Sequence, residues 1–188
     1  MVKKFPSYLG KVFLLSIFGL VILIWPRPVP QLTAYFFDVG QGDSELLVMP
    51  GNQTVLVDGG PSFGLVAKLD QVLPLTHRQI DLMVLTHPHD DHLIGLLEVL
   101  RVYPVKEVLI TGVPANTLAW QAFSRLLAAK QIKVTTARRG LQWQFVEFQP
   151  AKSDQSILPA SNRGPPTLTV IYPLIDISKQ DFKDLNDS

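Results

Sequence analysis

The sequence predicts a mixed α/β (α+β) domain with a cluster of metal-ligand side chains, preceded by one apolar helix. Three observations lead there. From Leu32 onward, short runs of β-forming residues alternate with apolar stripes at helical spacing. Where one such strand passes directly into a helix, His87, His89, Asp91 and His92 fall within six positions. Ahead of all this, Val12–Trp25 runs for 14 residues without a charge, behind Lys3, Lys4 and Lys11.

That first run (V-F-L-L-S-I-F-G-L-V-I-L-I-W) is shorter than the roughly 20 apolar residues of a full membrane span. Leu9 and Gly10 lengthen it if Lys11 snorkels, and Trp25 suits the membrane interface. The lysines, with no acid before Leu32, predict an uncleaved, single-pass anchor in the cytoplasmic membrane with the C-terminal domain outside. A cleaved signal releasing a secreted domain is the rival, but its best site, after Ala34, would cut into the first strand. A core helix of the domain is the third reading. Pro26, Pro28 and Pro30 form a short stiff spacer. The chain thus divides into an anchor or signal at 1–25, a spacer at 26–31 and a domain at 32–188.

With 188 residues, 47% of them hydrophobic, the chain can build one real core. From Leu32 on, 13 basic residues face 16 acidic ones, a net charge of −3, which excludes gripping nucleic acid by bulk charge. The absence of cysteine excludes disulfides and thiolate sites.

The domain opens with strands at Leu32–Asp38, Ser44–Met49 and Thr54–Val57, joined by glycine-bearing turns. Gly40-Gln41-Gly42 after a strand hints at a dinucleotide site, but the third glycine is missing and a hairpin follows. Phe63–Leu73 carries a helical stripe, Ile80–Leu85 is a buried strand, and Leu93, Leu96, Leu97 and Leu100 mark the next helix. Val105–Val113 reads as a strand and Leu118–Ala129 as a helix started by Asn116. Lys133–Ala137, Leu141–Phe148 and Thr167–Tyr172 are the remaining strands, with a polar loop over Lys152–Pro166. His77 reads as an isolated surface residue. Arg138 and Arg139 could touch a phosphate, but a solvated turn fits them better.

The ligand cluster, Thr86-His87-Pro88-His89-Asp90-Asp91-His92, has the pattern H-x-H-x-D-H. Residues two apart on an extended segment point the same way, so His87 and His89 can hold one ion from one side. Asp91 and His92, past the bend, can turn toward a second. Imidazole with carboxylate suits zinc, manganese or iron, and the lack of thiolates keeps zinc in front. Two divalent ions about 3.5–4 Å apart can clamp a scissile phosphate or carbonyl and activate water between them. The bland reading is a solvated loop with Asp91 serving the helix N-terminus. Three of the chain's four histidines in six positions weigh against it.

Two more stretches sharpen this: Phe37-Asp38-Val39-Gly40-Gln41-Gly42-Asp43-Ser44 and Leu56-Val57-Asp58-Gly59-Gly60. Together with the ligand motif they resemble the metallo-β-lactamase superfamily, and within it the hydrolase domain of the ComEC family of DNA-uptake competence proteins. The resemblance runs from about Leu32 to the C-terminus. It implies an αββα sandwich with two divalent metals, zinc before manganese, at one edge of the sheets. It also implies that Asp58 orients a ligand histidine from behind, with Asp38, Gln41 and Asp43 in similar supporting positions. Asp58 reads equally well as a turn stabiliser before Gly59-Gly60. Such folds are completed by a second half with a T-G-D strand end and a further histidine. No histidine follows His92 and no T-G-D occurs, so the expectation is the N-terminal half only, incomplete at the C-terminus.

The expected activity is metal-dependent hydrolysis, with Asp91 orienting the nucleophile as catalytic residue. The ComEC likeness implies phosphodiesters, with one strand of incoming DNA cleaved outside the cytoplasmic membrane. A small ester or thioester hydrolase is the first alternative, since one site serves both. A non-catalytic, truncated remnant is the second. One short apolar run cannot form a pore, and oligomeric state leaves no mark in the sequence.

Overall fold

The computed structural model describes residues 7–24, 31–73, 77–113, 115–145, 165–173 and 177. An apolar helix, α1 (Ser7–Ile24), precedes a six-stranded sheet in the order β1-β2-β3-β4-β5-β6. The first three strands, β1 (Thr33–Phe36), β2 (Glu45–Val48) and β3 (Thr54–Val57), form an antiparallel meander. Asn52, at φ 71°, turns the chain between the last two. From β3 the sheet runs parallel through β4 (Ile80–Leu85), β5 (Val105–Ile110) and β6 (Lys133–Thr136). Parallel neighbours need crossovers, supplied by α2 (Leu65–Val72), α3 (Asp90–Val102) and α4 (Leu118–Ala129). A separate two-stranded antiparallel sheet pairs β7 (Gln142–Gln144) with β8 (Thr167–Thr169).

Strand alternation splits the apolar residues between two faces. Leu46, Leu56, Met83 and Val108 join Leu69, Leu93, Leu96 and Phe123 from the helices in one core. Val55, Leu82 and Leu109 point the other way and meet Phe145 and Val170 in a second. A sheet buried on both faces explains why β4 reads as a continuous apolar run instead of alternating. It is a mixed α/β fold with a central sheet, in keeping with the expected sandwich.

The structure bears on three expectations. α1 forms, but among the described residues no helix is long and apolar enough to cross a membrane. Its 18 residues rise about 27 Å at 1.5 Å each. The N-cap of α4 is Thr117, whose hydroxyl accepts from the Trp120 N–H at 3.1 Å, not Asn116. His77 is half-buried and lies 3.8 Å from Asp81. The spacer through Pro30, Glu147, the loop from Lys152 to Gly164 and the tail from Asp184 lie outside the described residues.

Candidate metal centre

The ligand motif begins where β4 ends. Thr86 to His89 cross the carboxyl edge of the sheet, and α3 starts at Asp90, with His89 in the N-cap position. The His89 side chain makes no cap hydrogen bond, and Asp90 and Asp91 in the first turn suit the helix dipole, as the bland reading had Asp91. The helix starts earlier than the leucine stripe suggests. His92 therefore lies inside the first turn, 8% exposed, with its ring turned back toward β3.

There it meets Asp58. This residue directly follows β3 at φ 53°, is 2% exposed, and is tied to β4 by its N–H donating to Val84 O at 2.9 Å. Its carboxylate accepts three hydrogen bonds: Thr86 N at 2.9 Å on Oδ1, then Thr86 Oγ1 at 2.6 Å and His92 Nδ1 at 2.8 Å on Oδ2. Burial pushes the Asp58 carboxyl above its ordinary value, and the Thr86 and His92 bonds pull the other way without overcoming it. Ser44, buried beside it, donates its hydroxyl to Asp58 O at 3.1 Å.

The tautomers follow from the partners. His92 Nδ1 faces a carboxylate oxygen and carries the proton, leaving Nε2 with its lone pair. Thr86 has one hydroxyl proton and gives it to Asp58, so it can only accept from His87 Nδ1, 3.0 Å away. His87 therefore also presents a bare Nε2. Burial, then the neighbouring His92, holds the His87 imidazole below its ordinary pKa, which keeps it neutral near pH 7. One buried carboxylate thus sets two ligand-type imidazoles, one directly and one through Thr86. This is the arrangement found behind metal-binding histidines in general.

The rings are neighbours. The His87 centroid lies 4.0 Å from that of His92 and 5.0 Å from that of His89. Asp91 Oδ1 is 4.0 Å from His92 Nε2. His87 is thus the ring that neighbours both of the others. Glycines let the backbone close around it: a Cβ on Gly42 would come 2.0 Å from Asp91 O, and one on Gly95 1.9 Å from Gly59 O.

Residues 37–174 match the family described as the metallo-beta-lactamase superfamily. The chain belongs to it. Among solved structures it is similar to an archaeal metallo-beta-lactamase superfamily protein from Sulfolobus tokodaii, at 22% identity and a TM-score of 0.35. That match covers 62% of this chain and 52% of the archaeal one, so the chain spans about half the length of that relative. No curated protein matches the chain.

Superfamily members typically bind divalent metals, often zinc. The residues here fit such an ion in kind: three imidazoles, two with Nε2 left bare by their Nδ1 partners, and one carboxylate at a helix N-terminus. They stand grouped but not closed, and among the described residues no three His, Cys, Asp or Glu side chains converge into a finished cage. Of the supporting residues expected from the sequence, Asp58 occupies its position. Asp38 does not: it is exposed and accepts from the Gly40 N–H at 3.2 Å, closing its own turn. Gln41 and Asp43 are likewise exposed. What this loop brings to Asp91 is the backbone of Gly42. Thr86 and Ser44 were missed, though Thr86 directly precedes the H-x-H pair. Glu45, half-buried at the start of β2, was missed as well. Burial raises its pKa, with Asp43 and Asp58 adding to the rise and His92 opposing it.

Proposed function

We propose that the chain is a metal-dependent hydrolase whose reaction takes place at the carboxyl ends of β3 and β4. The observation that carries this is the Asp58 carboxylate, which sets His92 directly and His87 through Thr86. His87, His89, Asp91 and His92 would hold two divalent ions, zinc by the nitrogen-rich donor set, with manganese also suited. When bound, the ions polarise the scissile group and bring the pKa of water toward neutrality. The chain's own part is positional. Asp58 and Thr86 hold two imidazoles in one tautomer, and Asp91, half-buried at the head of α3, would orient the attacking water.

The finer reading from the sequence motifs is cleavage of DNA phosphodiesters during uptake; the motif likeness supports it and the acidic domain does not. Ester or thioester hydrolysis is the second reading, since the same metal site would serve both. Location at the outer face of the cytoplasmic membrane is proposed for α1, whose Phe13, Leu14, Leu15 and Phe18 are each more than 60% exposed behind a basic flank.

The test is metal content by mass spectrometry on the purified chain, followed by activity with zinc or manganese. The panel contains nitrophenyl esters, a thioester, bis(p-nitrophenyl) phosphate and single-stranded DNA. About two metals per chain and turnover of one class is the expected result. No bound metal and no turnover would overturn the proposal and leave a non-catalytic remnant.

A further inference from the structure

We infer that Glu45 and Phe36 form a subsite for a positively charged group of the substrate, an ammonium carried a short way from the bond that is cut. The inference rests on the hydrolase reading above. Phe36 of β1 and Glu45 of β2 are direct partners in the antiparallel ladder, so their side chains leave the same face with Cβ atoms about 5 Å apart. Alternation settles which face. Leu46 points into the core beneath the helices and Leu47 packs on the second core, so Glu45 shares the side of Leu47. Val57 and Val84 continue the same row across β3 and β4. The row thus runs phenyl, carboxylate, valine, valine, and Glu45 is its one charge.

Both members of the pair want a cation. Phe36 is 78% exposed and belongs to neither core, and a bare phenyl face attracts an ammonium. Glu45 is half-buried, yet the ion pairs among the described residues engage Asp58, Asp70, Asp81, Asp91 and Glu107 and leave it out. Burial, then Asp43 and Asp58, raise its pKa against the pull of His92, as befits a carboxylate that lacks a compensating charge. The row also adjoins the metal centre. Val57 directly precedes Asp58, Ser44 donates its hydroxyl to Asp58 O at 3.1 Å, and the Gly42 backbone lies against Asp91. Glu45 stands one strand from β3 and two from β4, which puts a cation held there about 5–10 Å from the ends of those strands.

The experiment compares substrates that differ in charge and not in shape. Zinc-loaded chain is assayed with acetylthiocholine against S-neohexyl thioacetate, and with p-nitrophenyl phosphorylcholine against p-nitrophenyl neohexyl phosphate. One pair are thioesters and the other phosphodiesters, so either chemistry can report. The cationic member of the pair that turns over should be preferred about tenfold in kcat/KM, mostly through KM. Glu45→Gln should erase that preference with metal content unchanged. Phe36→Leu should lower it about two- to fivefold, and its exposed position carries the test if Glu45→Gln does not fold. Equal kcat/KM for the charged and uncharged members, or a preference intact in either variant, overturns the subsite. Loss of metal in Glu45→Gln assigns the carboxylate to the ions and overturns it too. If none of the four turns over, nor any member of the panel above, the hydrolase reading falls. The subsite is then decided by NMR titration of tetramethylammonium into the metal-free chain. Shifts at Phe36 that vanish in Glu45→Gln uphold it, and their absence in wild type overturns it.

Discussion

Replacing Thr86 by Val removes one hydroxyl from the link between Asp58 and His87 and keeps the side-chain shape. Two hydrogen bonds go: Thr86 Oγ1 to Asp58 Oδ2 at 2.6 Å, and His87 Nδ1 to Thr86 Oγ1 at 3.0 Å. Two remain on the carboxylate, from Thr86 N at 2.9 Å and His92 Nδ1 at 2.8 Å. A bond to a charged group is worth about 1.5–3 kcal/mol, but Thr86 is exposed and water replaces it in part, so the stability loss should be about 1–2 kcal/mol. The larger effect falls on metal. Loss of a partner behind a ligand costs ~10–100-fold in affinity, and because only His87 is released, the low end, about tenfold, is expected. Asp58→Asn disturbs both His87 and His92 and should approach about a hundredfold. Zinc affinity is measured by competition with a chromophoric chelator, and the His87 tautomer by ¹⁵N NMR of the metal-free chain. Unchanged zinc affinity together with an unchanged His87 tautomer in Thr86→Val would refute the relay.

Three further outcomes are expected. Gly95→Ala drives a Cβ to 1.9 Å from the Gly59 carbonyl oxygen, so α3 must back away from β3. A loss of about 1–3 kcal/mol in urea unfolding is expected, with weakened zinc binding as His92 leaves Asp58; full wild-type stability would contradict the contact. Glu98→Gln weakens the carboxylate that accepts from Gly64 N at 2.6 Å and Val66 N at 3.4 Å at the start of α2, and about 0.5–2 kcal/mol should be lost by thermal unfolding. Burial pushes Glu107 up, but bonds from Thr135, Lys133 and Trp143 outweigh it and hold its carboxyl below the usual 4.5. A depressed folded value means that this stabilisation is complete above about pH 4.5 and drains as pH falls through the folded value. Urea midpoints at pH 7 and pH 3.5 should therefore differ less in Glu107→Gln than in wild type, and equal differences would sink the assignment.

The order of strands and helices was legible because apolar alternation and helical stripes are local, and β3 and β4 have the bounds their sequence suggests. The ligand motif was legible for the same reason, its four donors lying within six positions. The early start of α3 was not. Its first turn is polar, so the leucine stripe shows nothing of the three residues that carry His92 round to β3. Asp38, Gln41 and Asp43 looked like supports by motif, yet all three are exposed, and it is the Gly42 backbone that lies against Asp91.

What the sequence determined by itself was the donor set and the place in the chain where it sits, since both depend on neighbours a few residues apart. Only the tertiary structure decided how those donors are held. Asp58 and Thr86 are 28 positions apart, and Asp58 and His92 34, so nothing local relates them. Parallel pairing of β3 with β4 brings the first pair together, and the close crossing of Gly59 and Gly95 the second. The proton positions on His87 and His92 follow from those contacts, and with them the lone pairs on which a metal would depend.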